Sequence, residues 1–134
     1  RTYEDSLAAL TDPAKEIYVI QDPEGIAGFV LLDMRGVLRG YIQSVCVAPN
    51  RRGRGIGTAL IRWAEARIGR ESPNVFMCVS TFNTAAQRLY DRLGYQRVGL
   101  LSDFMVAGHE ELLLRKSIGP WASFRSALTR AEPV

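Results

Sequence analysis

The stretch Val45-Cys46-Val47-Ala48-Pro49-Asn50-Arg51-Arg52-Gly53-Arg54-Gly55-Ile56-Gly57-Thr58-Ala59-Leu60 decides how this chain is read. Its first three residues close an apolar segment beginning at Tyr41, in which both alternating sets carry apolar side chains, as in a central strand. Pro49-Asn50 stops that strand. Ile56, Leu60, Ala64 and Ile68 then recur every four residues and put one apolar stripe on a helix over about 56–68, with Gly69 as its C-terminal cap. Between strand and helix lie glycines at 53, 55 and 57. Glycine lets a backbone approach a ligand closely, and the unbonded N–H groups of a helix's first turn, with the helix dipole, attract negative charge. The segment is therefore a cradle for an anion, above all a phosphate. Two phosphate loops are excluded by spacing: GxxxxGK[ST] fails at Thr58, and GxGxxG fails because the third glycine is Gly57.

Charge supports a local anion site. The chain of 134 residues carries a net charge of +3, but residues 51–70 hold Arg51, Arg52, Arg54, Arg62, Arg67 and Arg70 against Glu65 alone, a local +5. A concentrated arginine block on an otherwise near-neutral chain fits a phosphate-bearing partner bound at one place better than general affinity for nucleic acid or membrane. Apolar runs such as 28–32 and 75–79 fall far short of the roughly 20 residues that span a bilayer. Cys46 and Cys78 sit in apolar runs without ligand spacing, which disfavours zinc sites and disulfide scaffolds and makes a reduced, cytoplasmic protein the expectation.

Outward from the loop, the chain reads as one compact domain over 1–118 with a tail over 119–134. Residues 2–10 carry a weak helical pattern. Ile17 to Ile20, the turn Asp22-Pro23-Glu24-Gly25 and Ile26 to Asp33 form a hairpin. Val75 to Ser80 is a further central strand; Asn83 opens a second helix with Ala86, Leu89, Tyr90 and Leu93 inward, closed by Gly94 as Gly69 closes the first. Strands over Tyr95–Leu101 and Glu111–Leu114 follow. The sum is an α/β fold, a mixed sheet of about six strands with two well-defined helices.

At this point Arg52-Gly53-Arg54-Gly55-Ile56-Gly57 resembles the Q/R-x-x-G-x-G/A signature of the GNAT superfamily of N-acetyltransferases, and Asn83-Thr84-Ala85-Ala86-Gln87-Arg88-Leu89-Tyr90-Asp91-Arg92-Leu93-Gly94-Tyr95 resembles that family's second conserved block. The resemblance runs from about Glu16 to Lys116 and implies that the mixed sheet is mostly antiparallel, with helices on both faces. Family members usually have a first strand and helix before the point where this chain starts. The resemblance implies acetyl coenzyme A as acyl donor and a primary amine as acceptor, with direct transfer in a ternary complex and no metal. Gly53, Gly55, Ile56, Gly57 and Thr58 would hold the pyrophosphate with Arg52 and Arg54, and Arg51 would reach the 3′-phosphate. Val45, Cys46 and Val47 would run beside the pantetheine, where the Val47 N–H polarises the acetyl carbonyl. Asn83 and Ala86 would contact the same arm, and Tyr90 would protonate the departing thiolate.

The general base is open at this level. The family's usual glutamate positions fall on Gln43 and Cys78, leaving Glu110, Glu111, Asp33 and His109 as candidates. The loop Ser102 to Gly108 offers one aromatic ring, one thioether and one carboxylate, which suits a cationic acceptor with an apolar neighbour. A non-catalytic acyl coenzyme A sensor and a basic RNA-binding domain are the rival readings, the second weakened by the shortage of aromatic platforms near the arginines. An exposed strand edge and the apolar residues Trp121 and Phe124 are compatible with a homodimer.

Overall fold

The structure, a computed structural model, describes residues 12–125. Its elements are β1 (Glu16–Asp22), β2 (Gly25–Asp33), β3 (Tyr41–Val47), a short 3-10 turn (Pro49–Arg51), α1 (Ile56–Ile68), β4 (Asn74–Ser80), α2 (Thr84–Arg92), β5 (Gln96–Ser102), β6 (Glu110–Ser117) and a final 3-10 turn (Trp121–Ser123). The strands form one six-stranded sheet in the order β1-β2-β3-β4-β6-β5. Only β3 and β4 run parallel; the other four pairings are antiparallel. The mixed, mostly antiparallel α/β architecture expected from the sequence is the one observed.

The hairpin turn forms because Asp22 Oδ1 accepts the Glu24 N–H at 2.9 Å and Gly25 takes the positive φ that follows. α1 buries Leu60, Ile61, Ala64 and Ile68 against Val30, Leu32, Ile42, Val75, Met77 and Val79. Ile61 thus joins the expected stripe, while Ile56 is half-buried at its start. Close seating of α1 depends on Gly28, where a Cβ would meet the Cys46 carbonyl oxygen at 2.7 Å and Leu60 Cδ1 at 3.0 Å. Leu89, Tyr90, Leu93 and Tyr95 at and after α2 extend the same core, so both described helices share one cluster. The Tyr95 hydroxyl donates to Glu65 Oε2 at 2.9 Å, and Lys116 Nζ donates to the same oxygen at 3.2 Å, tying α1 to β6 and the start of β5.

Two expectations change. Gly69 caps α1 as expected but not in the manner of Gly94: Gly94 follows α2 with φ +95°, whereas Gly69 stays right-handed at φ −60° because its N–H still bonds the Glu65 carbonyl. The last strand extends to Ser117, since β6 is held between β4 and β5 along its length. Cys46, within the apolar run of β3, is exposed. The helical pattern over 2–10 and the end of the tail lie outside the described residues.

Candidate active site

The site begins with a defect in the sheet. Opposite β2, Leu31 pairs with Ser44 and Leu32 with Ile42, so Gln43 is an extra residue, a β-bulge that bends β3. β3 and β4 pair only at Tyr41/Phe76 and Ile42/Met77. Past that point they separate. The Ala48 N–H donates to the Ala27 carbonyl at 2.8 Å, and by the alternation of an antiparallel ladder Ser44 and Cys46 also bond toward β2. The N–H and C=O groups of Val45 and Val47 therefore face the gap. That gap is a cavity of about 360 Å³, walled by Gln43 to Cys46 on β3, Cys78 to Ser80 on β4, Asn83, Ala86 and Tyr90 on and before α2, and Glu111 on β6. Val47 lies outside this wall; its Cγ2 would stand 3.6 Å from a Cβ on Gly57, linking the strand's end to the helix's first turn.

The glycine loop holds the conformation its composition demands. Gly53 and Gly55 have φ of +79° and +78°, and a Cβ on either would meet nothing within 4 Å. Gly55 caps α1 with no side-chain bond, the first turn has no acidic residue, and the first helical bond runs from the Ala59 N–H to the Gly55 carbonyl. The N–H groups of Ile56, Gly57 and Thr58 thus lack intrahelical partners and lie at the positive end of a 13-residue helix.

The arginine block is divided by its partners. Arg52 and Arg54 are exposed and make no ion pair among the described residues. Arg67 grips Glu16 through two bonds of 2.7 Å and pairs with Glu71, and Arg62 pairs with Glu65 at 2.9 Å. Arg51 is buried, with Nη2 on Asp22 Oδ1 at 2.6 Å and Nη1 on the Ile26 carbonyl at 3.3 Å. This corrects the expectation that Arg51 reaches a ligand phosphate: it fastens the β1–β2 turn to the base of the loop. Arg51→Ala should therefore cost about 1.5–3 kcal/mol, the range for a charge-assisted bond. Thermal denaturation checks this, with a melting temperature lower by several degrees expected and an unchanged one opposing it.

α2 places the remaining side chains. Asn83 Oδ1 accepts the Ala86 N–H at 3.2 Å, so it caps the helix while lining the cavity. Burial raises the Tyr90 phenol above its ordinary pKa, which keeps it protonated at neutral pH; its ring lies edge-on to Tyr95 at 6.1 Å. The Tyr90 hydroxyl makes no hydrogen bond among the described residues. Sequence reading missed Gln87, whose buried Nε2 donates to the Ser80 and Thr81 carbonyls at 3.1 and 2.8 Å and so fixes α2 to the end of β4. The signal was a polar residue one turn after Asn83, on a helix read only for its apolar positions.

Gln43 and Cys78, at the family's usual glutamate positions, both line the cavity, and of the candidate bases Glu111 reaches it. Burial pushes the Cys78 thiol up, so it is a poor proton acceptor. Glu111 is the one carboxylate in the described wall, set opposite Ser80 in the β4–β6 ladder and accepting the Ser80 hydroxyl at 2.9 Å through Oε1. Asp33 is elsewhere, its carboxyl held below the usual range by the Arg35 guanidinium. Glu110 accepts from Ser102 at 3.4 Å, and the His109 ring lies edge-on to Phe82 at 6.1 Å; both stand outside the wall. Among the described residues no group of three His, Cys, Asp or Glu side chains could hold a metal ion.

Residues 1–95 match the model of the Acetyltransferase (GNAT) family, and the chain belongs to that family. It is 33% identical over 96 residues to the N-alpha-acetyltransferase RimI of Mycobacterium tuberculosis (strain ATCC 25618 / H37Rv), covering 71% of this chain and 60% of that protein. Against the mycothiol acetyltransferase of Mycobacterium avium (strain 104) the identity is 38% over 85 residues, covering 54% of this chain and 26% of that protein. The chain thus spans less than two thirds of these relatives. Nourseothricin acetyltransferase has a similar structure, with a TM-score of 0.70, 28% identity, and coverage of 81% of this chain and 68% of that one. A putative streptothricin acetyltransferase of Bacillus anthracis str. Ames, solved with acetyl coenzyme A, shares the fold at a TM-score of 0.73 and 20% identity, with 88% and 72% covered.

Proposed function

We propose that this chain moves an acetyl group from acetyl coenzyme A to a primary amine, on a peptide N-terminus or a small molecule, by direct attack in a ternary complex. The observation that carries the reading is that the strand which opens the cavity at Gln43 ends at Val47, beside Gly57 in the first turn of α1, whose N–H groups lack intrahelical partners. The coenzyme is a substrate here. Its pyrophosphate meets the N–H groups of Ile56, Gly57 and Thr58 through the Gly53–Gly55 cradle, with Arg52 and Arg54 adding charge. Its pantetheine runs along Val45 and Cys46 toward Asn83 and Ala86. The β3 N–H that polarises the thioester carbonyl is that of Val45, which lines the cavity with Tyr90 and Glu111, rather than that of Val47, which lies outside its wall.

The amine nitrogen attacks that carbonyl and gives its proton to Glu111, which Ser80 orients. As the C–N bond forms and the C–S bond breaks, Tyr90 donates its phenolic proton to the leaving thiolate. Glu111 later releases its proton to water, and Tyr90 regains one. A carboxylate in the wall favours this over the non-catalytic acyl coenzyme A sensor, which rested on the absence of carboxylates at Gln43 and Cys78. The division of the arginine block among acidic partners weighs against RNA binding.

Tyr90→Phe tests the acid. Thiol release at saturating substrates should fall about 100-fold, the low end of general acid catalysis, while the coenzyme Kd stays within a factor of two or so. Unchanged turnover would remove Tyr90 from the mechanism.

A further inference from the structure

A second cavity of about 380 Å³ lies next to the first, and Cys78 lines both. Its wall is Leu38, Tyr41, Leu101, Phe104 and Leu113, with Asp33 and Arg35 as the charged members. Those two charges are engaged with each other: Arg35 Nε and Nη2 donate to the Asp33 carboxylate at 3.1 Å each, and the Arg35 backbone N–H adds a third bond at 3.0 Å. The carboxylate expected from the 102–108 loop is also committed, since Asp103 Oδ1 accepts the Gly108 N–H and Asp103 stands outside the wall. Of that loop, Phe104 alone reaches the cavity. A polycationic acceptor would need several free carboxylates here, and an anionic one a free guanidinium; the described wall provides neither.

We infer that this cavity receives the side group of the acceptor, and that the acceptor is a primary amine with an aromatic or branched apolar group close to its nitrogen. The inference rests on the acetyltransfer reading and specifies its substrate. An apolar group between Tyr41, Phe104 and Leu113 leaves its amine on the Cys78 side, facing the thioester cavity and Glu111. The pocket selects by what it buries: an aromatic ring excludes water from this wall, whereas a hydroxyl or second ammonium would lose its hydration against Leu38, Leu101, Phe104 and Leu113, whose side chains offer no hydrogen-bond partner.

The test is a rate comparison under saturating acetyl coenzyme A, with phenethylamine, isoamylamine, ethanolamine, spermidine and a phenylalanine-initiated tripeptide as acceptors. Phenethylamine should exceed ethanolamine in kcat/KM by about 100-fold, within the range a hydrophobic pocket provides. The tripeptide arm separates a peptide source of the same group from a small amine. Phe104→Ala is suited to folding because Phe104 is 53% exposed. It should cut the phenethylamine-to-ethanolamine ratio about tenfold through KM. Preference for spermidine or ethanolamine, or an equal loss on all acceptors in Phe104→Ala, overturns the pocket assignment. No thiol release with any acceptor, while acetyl coenzyme A still raises the melting temperature, overturns it and leaves coenzyme binding standing; no thermal shift overturns the acetyltransfer reading as well.

Discussion

Gly55→Val weakens acetyl coenzyme A binding by about 100-fold or more if the loop is the pyrophosphate cradle, because two charge-assisted bonds at about 1.5–3 kcal/mol each would be lost. The space beside Gly55 is open, so the side chain displaces no protein atom. It stands where an anion must pass to reach the N–H groups of Ile56, Gly57 and Thr58. At φ +78° a β-branched residue is also strained, by about 1–2 kcal/mol, which a domain of this size survives. Calorimetric titration reads the affinity, and the melting temperature of the ligand-free variant shows that the fold persists. A folded Gly55→Val with unchanged affinity would refute the loop assignment.

The second large effect is expected at Glu111. Glu111→Gln keeps size and the capacity to bond Ser80 but cannot accept the amine proton, so kcat should fall about 100-fold or more. The loss should depend on the acceptor. An amine whose ammonium has a pKa of about 10.4 needs the base more than an α-amino group near 8, which is partly neutral at working pH. A merely structural Glu111 would show the same loss on both. Equal activity of Glu111→Gln and the natural chain would return the base to solvent.

The sequence made the strand–loop–helix legible because its signals are local: alternation over 41–47, glycines at 53, 55 and 57, and a four-residue repeat from Ile56 to Ile68 all act within a few residues. Features needing distant partners were not. Arg51 belongs by sequence to a basic cluster, but its charge is answered by Asp22 and Glu24, which the hairpin carries 29 and 27 residues back along the chain. The bulge at Gln43 has no sequence mark, since it is defined only by the register against Leu31 and Leu32. Glu111 was one of several carboxylates until the β4–β6 ladder set it opposite Ser80. Gly69 and Gly94 look alike in sequence. Gly69 keeps its helical bond and leads into a turn whose Glu71 and Ser72 N–H groups bond the Ile68 carbonyl, whereas Gly94 must reverse the chain into β5.

The central claim is that the opened sheet and the helix N-terminus together bind an acyl coenzyme. Thermal denaturation of the purified chain with acetyl coenzyme A, free coenzyme A and ATP, each in large excess, tests it most directly. A ligand at about 100 times its Kd adds roughly 2.7 kcal/mol to the folded state, a shift of several degrees. The account predicts that shift with both coenzymes and little with ATP, which lacks the pantetheine arm proposed to enter the β3–β4 cavity. No shift with acetyl coenzyme A, or an equal one with ATP, would contradict it.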